Sequence, residues 1–160
     1  MAIVKLLLRL AVLHPVSLFT SALEATKFDK CMHNPGFLFY VYESEVKCLQ
    51  ERIADSIYNV ARSYCQDRNS QLATFKTEDE RKVGGHLKSD DRWMFWIGLE
   101  SENGKYVWID DRKPVDIDLA FFDDDGTRDQ TSNCGAFIAG LNVTVVMPCN
   151  LQLPCLCEMK

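Results

Sequence analysis

Histidine is scarce in this sequence, with three in 160 residues. His14 lies inside an apolar N-terminal run, and His33 and His86 stand near no recognisable nucleophile turn. A Gly-rich phosphate loop is also missing. The one glycine pair, Gly84-Gly85, falls within a helical pattern and reads as a local weak point of that helix. These gaps weigh against catalysis, and the chain is expected not to be an enzyme. Lys and Arg gather into no stripe and the formal net charge is −5, so nucleic acid and anionic membrane surfaces are poor partners. No apolar run is long enough to span a bilayer, because Arg9 and His14 break the longest. Repeats, low-complexity tracts and linkers are missing too. What remains is a globular composition, 47% hydrophobic and 26% charged, of a length that suits one domain with its own core.

The N-terminus does carry a recognisable pattern. Lys5 is followed by a mostly apolar stretch from Leu6 to Phe19, and small residues at Thr20-Ser21-Ala22 suit signal peptidase. Residues 1–22 are therefore expected to be a signal peptide, and the protein to be secreted and extracellular. The rival reading is an amphipathic N-terminal helix on a cytosolic protein. Seven cysteines favour export. They stand at 31, 48, 65, 134, 149, 155 and 157, all beyond the expected cleavage point. Zinc sites favour close pairs of the Cys-x-x-Cys kind. The one close pair here is Cys155-Leu156-Cys157, with too short a spacer for that turn. An oxidised disulfide framework with one cysteine left over fits better.

Periodicity supplies the elements. Ile57, Val60, Ala61, Tyr64 and Cys65 mark one face of a helix within 53–69, with Asp55 or Ser56 as its cap and Cys65 directed into the core. A short apolar strand spans Leu72 to Phe75. Thr77-Glu78-Asp79-Glu80 is a capping box opening a second helix that reaches about Lys88. Phe95–Leu99 and Tyr106–Ile109 flank Asn103-Gly104 as a hairpin. A long polar, acidic connection runs from Asp110 to Asn133, and a segment of that length inside a compact domain is usually functional or disordered. Strands are expected at Cys134–Ala139, Val143–Met147 and Leu153–Glu158. Two helices followed by a strand-rich half make an α+β domain.

In this order and spacing, the pieces resemble the C-type lectin-like domain over residues 31–160. Tyr58-Asn-Val-Ala61-Arg-Ser-Tyr64-Cys65 resembles the family's first-helix signature, and Gln71-Leu-Ala-Thr-Phe75 followed by Glu80 its strand and second helix. Trp96-Ile-Gly-Leu99 resembles its core motif, with Tyr106-Val-Trp108 as hairpin partner. Cys134, Cys149 and Cys157-Glu158 stand where the family places its C-terminal cysteines. The resemblance implies a disulfide-stabilised fold of two helices, antiparallel strands and a long loop. It also implies the bridges Cys65–Cys157, Cys134–Cys149 and, as in the long form, Cys31–Cys48. Cys155 is then left over. It can be a buried thiol, an intermolecular bridge giving a disulfide-linked dimer, or a thiol that re-pairs with a neighbour.

Sugar-binding members of that family chelate one Ca²⁺ through a Glu-Pro-Asn or Gln-Pro-Asp triplet and an Asn-Asp pair after a Trp. Such a site needs six to eight hard oxygen ligands. Here the triplet falls near Gly126-Thr127-Arg128, with no proline between Pro114 and Pro148, and the Trp-Asn-Asp place is held by Thr144-Val145-Val146. The usual Ca²⁺ site is therefore not expected, and no cofactor is. The loop is nonetheless acidic, with Asp116, Asp118, Asp123, Asp124, Asp125 and Asp129. The simplest reading is a solvated acidic loop. The functional reading makes Asp123, Asp124, Asp125, Thr127, Arg128 and Asp129 a ligand-binding loop, with Asp123, Asp125 and Asp129 as a non-standard cation site. Asn142-Val143-Thr144 is a glycosylation sequon. The resemblance thus implies a secreted binding protein that recognises a protein or glycan through its long-loop surface without the usual Ca²⁺ site. The alternatives are a Ca²⁺-dependent carbohydrate-binding lectin with unorthodox ligands, and a disulfide-linked structural protein.

Overall fold

The central strands are buried almost throughout, and side chains that alternate between the two faces of the sheet build two apolar layers. A computed structural model describes residues 28–43, 45–87, 94–116, 120–121 (backbone alone) and 133–160. The expected signal peptide and most of the acidic loop lie outside these residues. After a helical turn over 28–32 come β1 (Leu38–Tyr42), β2 (Glu45–Ser56), α1 (Tyr58–Gln66), β3 (Gln71–Leu72), α2 (Glu78–Gly85), β4 (Met94–Glu102), β5 (Lys105–Trp108), β6 (Ala120–Phe121), β7 (Asn133–Ile138), β8 (Val143–Pro148) and β9 (Leu153–Met159). The sheet runs β1-β2-β9-β4-β7-β8-β6, with β3 also paired to β9 and β5 to β4. Its pairings are antiparallel except β4 with β9 and β6 with β8.

On one face Trp96, Ala136, Val145, Cys155 and Cys157 pack with Tyr58, Ala61 and Cys65 of α1. On the other Phe95, Ile97, Leu99, Phe137, Val146 and Leu156 pack with Val83 of α2. The period-2 alternation of a strand sends successive side chains to opposite faces, so one sheet serves two cores. The architecture is α+β, as expected.

Several boundaries differ from the sequence reading. The helix expected across 53–69 begins at Tyr58, because β2 continues through Ser56, which pairs with Leu153. Ser56 is committed to the sheet. Its carbonyl accepts from Trp96 Nε1 at 2.7 Å, and its Oγ accepts from Arg52 Nη1 at 3.1 Å. Neither Asp55 nor Ser56 caps α1. Ile57 occupies the cap without a side-chain bond, and the orphan N–H of Tyr58 donates to Cys149 O at 3.0 Å. The buried face is accordingly Tyr58, Ala61 and Cys65, while Val60 and Ile53 are exposed.

The expected strand at Leu72–Phe75 narrows to Gln71–Leu72, since Thr74 N donates to the Glu158 carboxylate instead of a ladder carbonyl. The capping box is present in full, with Glu80 N donating to Thr77 Oγ1 and Thr77 N to Glu80 Oε2. Helix α2 stops at Gly85, short of Lys88. The glycines there permit close packing rather than marking a weak point. A Cβ on Gly84 would lie 2.6 Å from the Phe137 ring, and one on Gly85 would lie 2.0 Å from Asn142 Oδ1. The hairpin turns at Asn103 and Gly104, both with positive φ, as a two-residue turn of this kind requires. Unforeseen was the N-terminal hairpin, in which β1 pairs with the long β2 from Leu38↔Leu49 to Tyr42↔Glu45.

Candidate functional site

Three bridges brace the domain, and Cys134–Cys149 stands beside the point where the long loop returns. Cys65–Cys157 ties α1 to β9 across 92 residues, Cys134–Cys149 ties the start of β7 to the end of β8, and Cys31–Cys48 ties the N-terminal turn to β2. They are the pairs that the resemblance implies. Closing a loop the length of the first is worth about 2–4 kcal/mol.

The segment 122–132 departs and returns on opposite flanks of β8. Phe121 pairs with Val146 on one side, and Asn133 pairs with Pro148 on the other. Two strand spacings put those feet roughly 10 Å apart. Asp123, Asp124, Asp125, Thr127, Arg128 and Asp129, and Asp118 before them, lie outside the described residues, so the geometry of the site is that of its rim. Asp116 is exposed at the loop's entry.

Polar residues crowd that rim. Glu100 on β4 accepts from Arg62 Nη1 of α1 at 3.1 Å and from Arg112 Nη1, while Arg112 Nη2 lies 2.8 Å from Glu102. Beneath them the Tyr58 hydroxyl is buried without a hydrogen-bond partner among the described residues. Burial and then the Glu100 charge raise its pKa well above the usual phenol value, with Arg62 and Arg112 opposing. Asn133 Nδ2 donates to Tyr106 Oη at 3.4 Å, joining the loop's return to the β5 strand. Past β5, Val107 bridges to Pro114, so the acidic connection is not wholly irregular. Asp110 and Asp111 there meet Lys76, each at 2.8 Å, and Asp110 also meets Lys160. Both carboxyls are held below the usual range. For Asp110, burial pushes the other way and is overcome by Lys160 and Lys76; for Asp111 the Lys76 hydrogen bond leads.

Thr144, Val145 and Val146 are all sealed within β8, between β7 and β6, at 1%, 1% and 2% exposure. Val145 faces the α1 layer, whereas Thr144 and Val146 face the α2 layer, with Phe137 opposite Thr144. Thr144 Oγ1 finds no partner among the described residues. Leaving a hydroxyl so costs about 1–3 kcal/mol. Two valines and one buried hydroxyl do not make half of a six- to eight-oxygen calcium shell. This strand does not fit the ion that related folds commonly hold.

Cys155 is wholly buried, with Sγ within 4.8 Å of those of Cys65 and Cys157. This is the one such three-ligand group among the described residues. Two of its three sulfurs are already bonded to each other. Burial pushes the Cys155 thiol up to about 11, against the Arg52 guanidinium beside it. In this fold the Cys155 sulfur is covered on all sides, between the Cys65–Cys157 bridge and Arg52. His33 Nδ1 lies 2.8 Å from Asp29 O, and His86 stacks on Tyr42. Asn142 is exposed in the turn that precedes β8.

The sheet, the two flanking helices and the bridge positions define a lectin-type binding domain. The sequence profile of the Lectin C-type domain matches residues 54–159. The chain belongs to the C-type lectin domain family, whose members are generally binding modules rather than enzymes. Among curated relatives, E-selectin of Equus caballus is 31% identical over 58 residues, 36% of this chain and 10% of its own. The chain thus spans about a tenth of the length of the curated relatives it matches. Human lithostathine superposes with TM-score 0.60 at 20% identity, covering 79% of this chain and 89% of its own. A calcium-independent type II antifreeze protein superposes with TM-score 0.58 at 18% identity, covering 78% and 91%. These likenesses show the fold.

Sequence reasoning missed the rim formed by Arg62, Glu100, Glu102 and Arg112. Its members are dispersed between 62 and 112, and no local spacing marks them as neighbours.

Proposed function

We propose that the protein is a secreted, extracellular binding module that recognises a protein or glycan through its long-loop surface without the usual Ca²⁺ site. The observation that carries the calcium part is the burial of Thr144, Val145 and Val146 in β8, where a chelating strand would present oxygens. Support for an exported setting comes from three disulfides, which persist in oxidising compartments. Among the described residues no helix is long and apolar enough to cross a membrane.

Recognition on this reading uses the loop together with its rim. Arg62 and Arg112 there are partly exposed and, oriented by Glu100, offer their remaining N–H donors to an acidic or hydroxyl-rich ligand. The likeness in fold to a structure described as calcium-independent is compatible with a scaffold that stands without the ion. The test is a combined glycan and protein array probed with the oxidised chain, with and without chelator. Retention that chelator leaves unchanged supports the reading. Retention of sugars that chelator abolishes would replace it with the Ca²⁺-dependent alternative, through Asp123, Asp125 and Asp129.

A further inference from the structure

We propose that Asn142 is an N-glycosylation site, and that the Thr144 hydroxyl serves this modification rather than the fold. The proposal rests on the reading that the chain is exported, and goes beyond it in assigning a site and a chemistry. Asn142 ends the 3-10 turn Ala139–Leu141 with φ 55°, in the left-handed region, and its residue is exposed. An asparagine there has a conformational explanation, because Asn tolerates that region better than most side chains. Its presence alone says little.

Thr144 is the informative residue. It lies on the α2 side of β8 with Val146, with Phe137 opposite and no hydrogen-bond partner for Oγ1 among the described residues. Valine has the same branched shape and strand preference, without a hydroxyl to strip of water. The folded protein would be served better by a valine at this position, yet a threonine stands two residues after an exposed asparagine. That is the spacing oligosaccharide transfer to asparagine requires, and Val143 between them is not the proline that blocks it. The hydroxyl is used while this segment is still extended and open to a transferase. It is sealed when β8 joins the sheet.

In the transfer, Asn142 Nδ2 displaces the diphosphate from C1 of a polyprenyl-diphosphate-linked oligosaccharide. The C1–O bond breaks, the N–C1 bond forms, and one amide proton is lost to a base of the enzyme. Gly85 leaves room for the acceptor side chain above the end of α2. A glycan here would shield Leu141, which is 67% exposed. It would also stand at the opposite end of β8 from the loop feet at Val146 and Pro148, roughly 15 Å away by strand rise. The ligand surface stays clear.

The full chain should be expressed in eukaryotic cells with its own N-terminus and, in parallel, behind a strong heterologous export leader. Wild type, Asn142→Gln, Thr144→Val and Thr144→Ser are compared before and after peptide-N-glycosidase. The secreted wild type is expected to drop by one mobility step, Thr144→Ser to keep the step, and Asn142→Gln and Thr144→Val to lack it. Bacterially produced, oxidised Thr144→Val is expected to unfold at a denaturant midpoint equal to or above wild type. A leader-exported wild type that the glycosidase leaves unchanged would overturn the site. So would a Thr144→Val midpoint clearly below wild type, because the hydroxyl would then have a role in the fold. Export with the leader but not with the native N-terminus would sink the reading of secretion instead, and leave the glycan result to be read from the leader form.

Discussion

Lys47 Nζ lies 3.0 Å from Glu158 Oε1, with the two residues only 3% and 5% exposed. Glu80, of the α2 capping box, stands 3.0 Å from the same ammonium, and Glu158 Oε2 also accepts from Thr74 N. One buried charge thus joins β2, β9, α2 and the segment after β3. Burial disfavours the Lys47 ammonium, but Glu158 and then Glu80 outweigh it and hold its pKa above the usual value. Lys47→Met leaves Glu158 buried and uncompensated, and is expected to cost about 3–5 kcal/mol in denaturant unfolding. Glu158→Gln keeps Glu80 as partner and is expected to cost less. Because the folded pKa of Lys47 is raised, the ammonium's contribution is fully present below the ordinary lysine pKa and is lost as pH rises through the raised value.

Gly84 gives a prediction of sign. In a helix interior, Gly→Ala ordinarily stabilises by about 0.5–1 kcal/mol. Here the new methyl would meet Phe137 at 2.6 Å and Phe75 at 3.0 Å, both rings fully buried. Gly84→Ala is expected to destabilise by about 1–3 kcal/mol instead, as overpacking does. Thermal and denaturant unfolding of the variant read the sign directly.

Cys155 is expected to resist alkylation in the native, oxidised protein at pH 8. It is sealed from solvent, and its thiol ionises only near 11. Unfolding in denaturant should release one reactive thiol per chain by mass spectrometry. Non-reducing electrophoresis should show a monomer. A native thiol titrating at pH 8, or a reducible dimer, would mean the β9 sulfurs are arranged otherwise. Cys155→Ala should leave the Cys65–Cys157 bridge intact in a peptide map.

The acid limb of stability should depend on Asp110. Its folded pKa lies below the ordinary 3.8, held there by Lys160 and Lys76 against burial. A depressed carboxyl stabilises the fold at pH values above its unfolded pKa, and that contribution fades as pH falls through the folded pKa. Unfolding midpoints should therefore be flat above about pH 5 and fall below about pH 4. Asp110→Asn should lower the neutral plateau and reduce the fall, with the Asp111–Lys76 pair leaving a residual slope.

Much of the fold was legible where local chemistry decides it. The Thr77–Glu80 box and the Asn103-Gly104 turn satisfy their own backbone groups, so tertiary context had nothing to override. Boundaries failed where distant partners intervene. Ser56 reads as a helix cap until Trp96 and Leu153 claim it for β2, and Thr74 leaves its strand for Glu158. Glycine has no side chain with which to announce packing, so Gly84-Gly85 read as a weak point. The rim of the site was invisible for a related reason. Arg62, Glu100 and Arg112 meet only because α1, β4 and the turn after β5 converge there.

Calcium titration by calorimetry, on the oxidised chain with the long loop intact, tests the functional proposal most directly. The expected result is no saturable heat up to millimolar Ca²⁺, with an unchanged unfolding temperature and ligand retention indifferent to chelator. A micromolar site that raises the unfolding temperature, with sugar retention abolished by chelator, would contradict it.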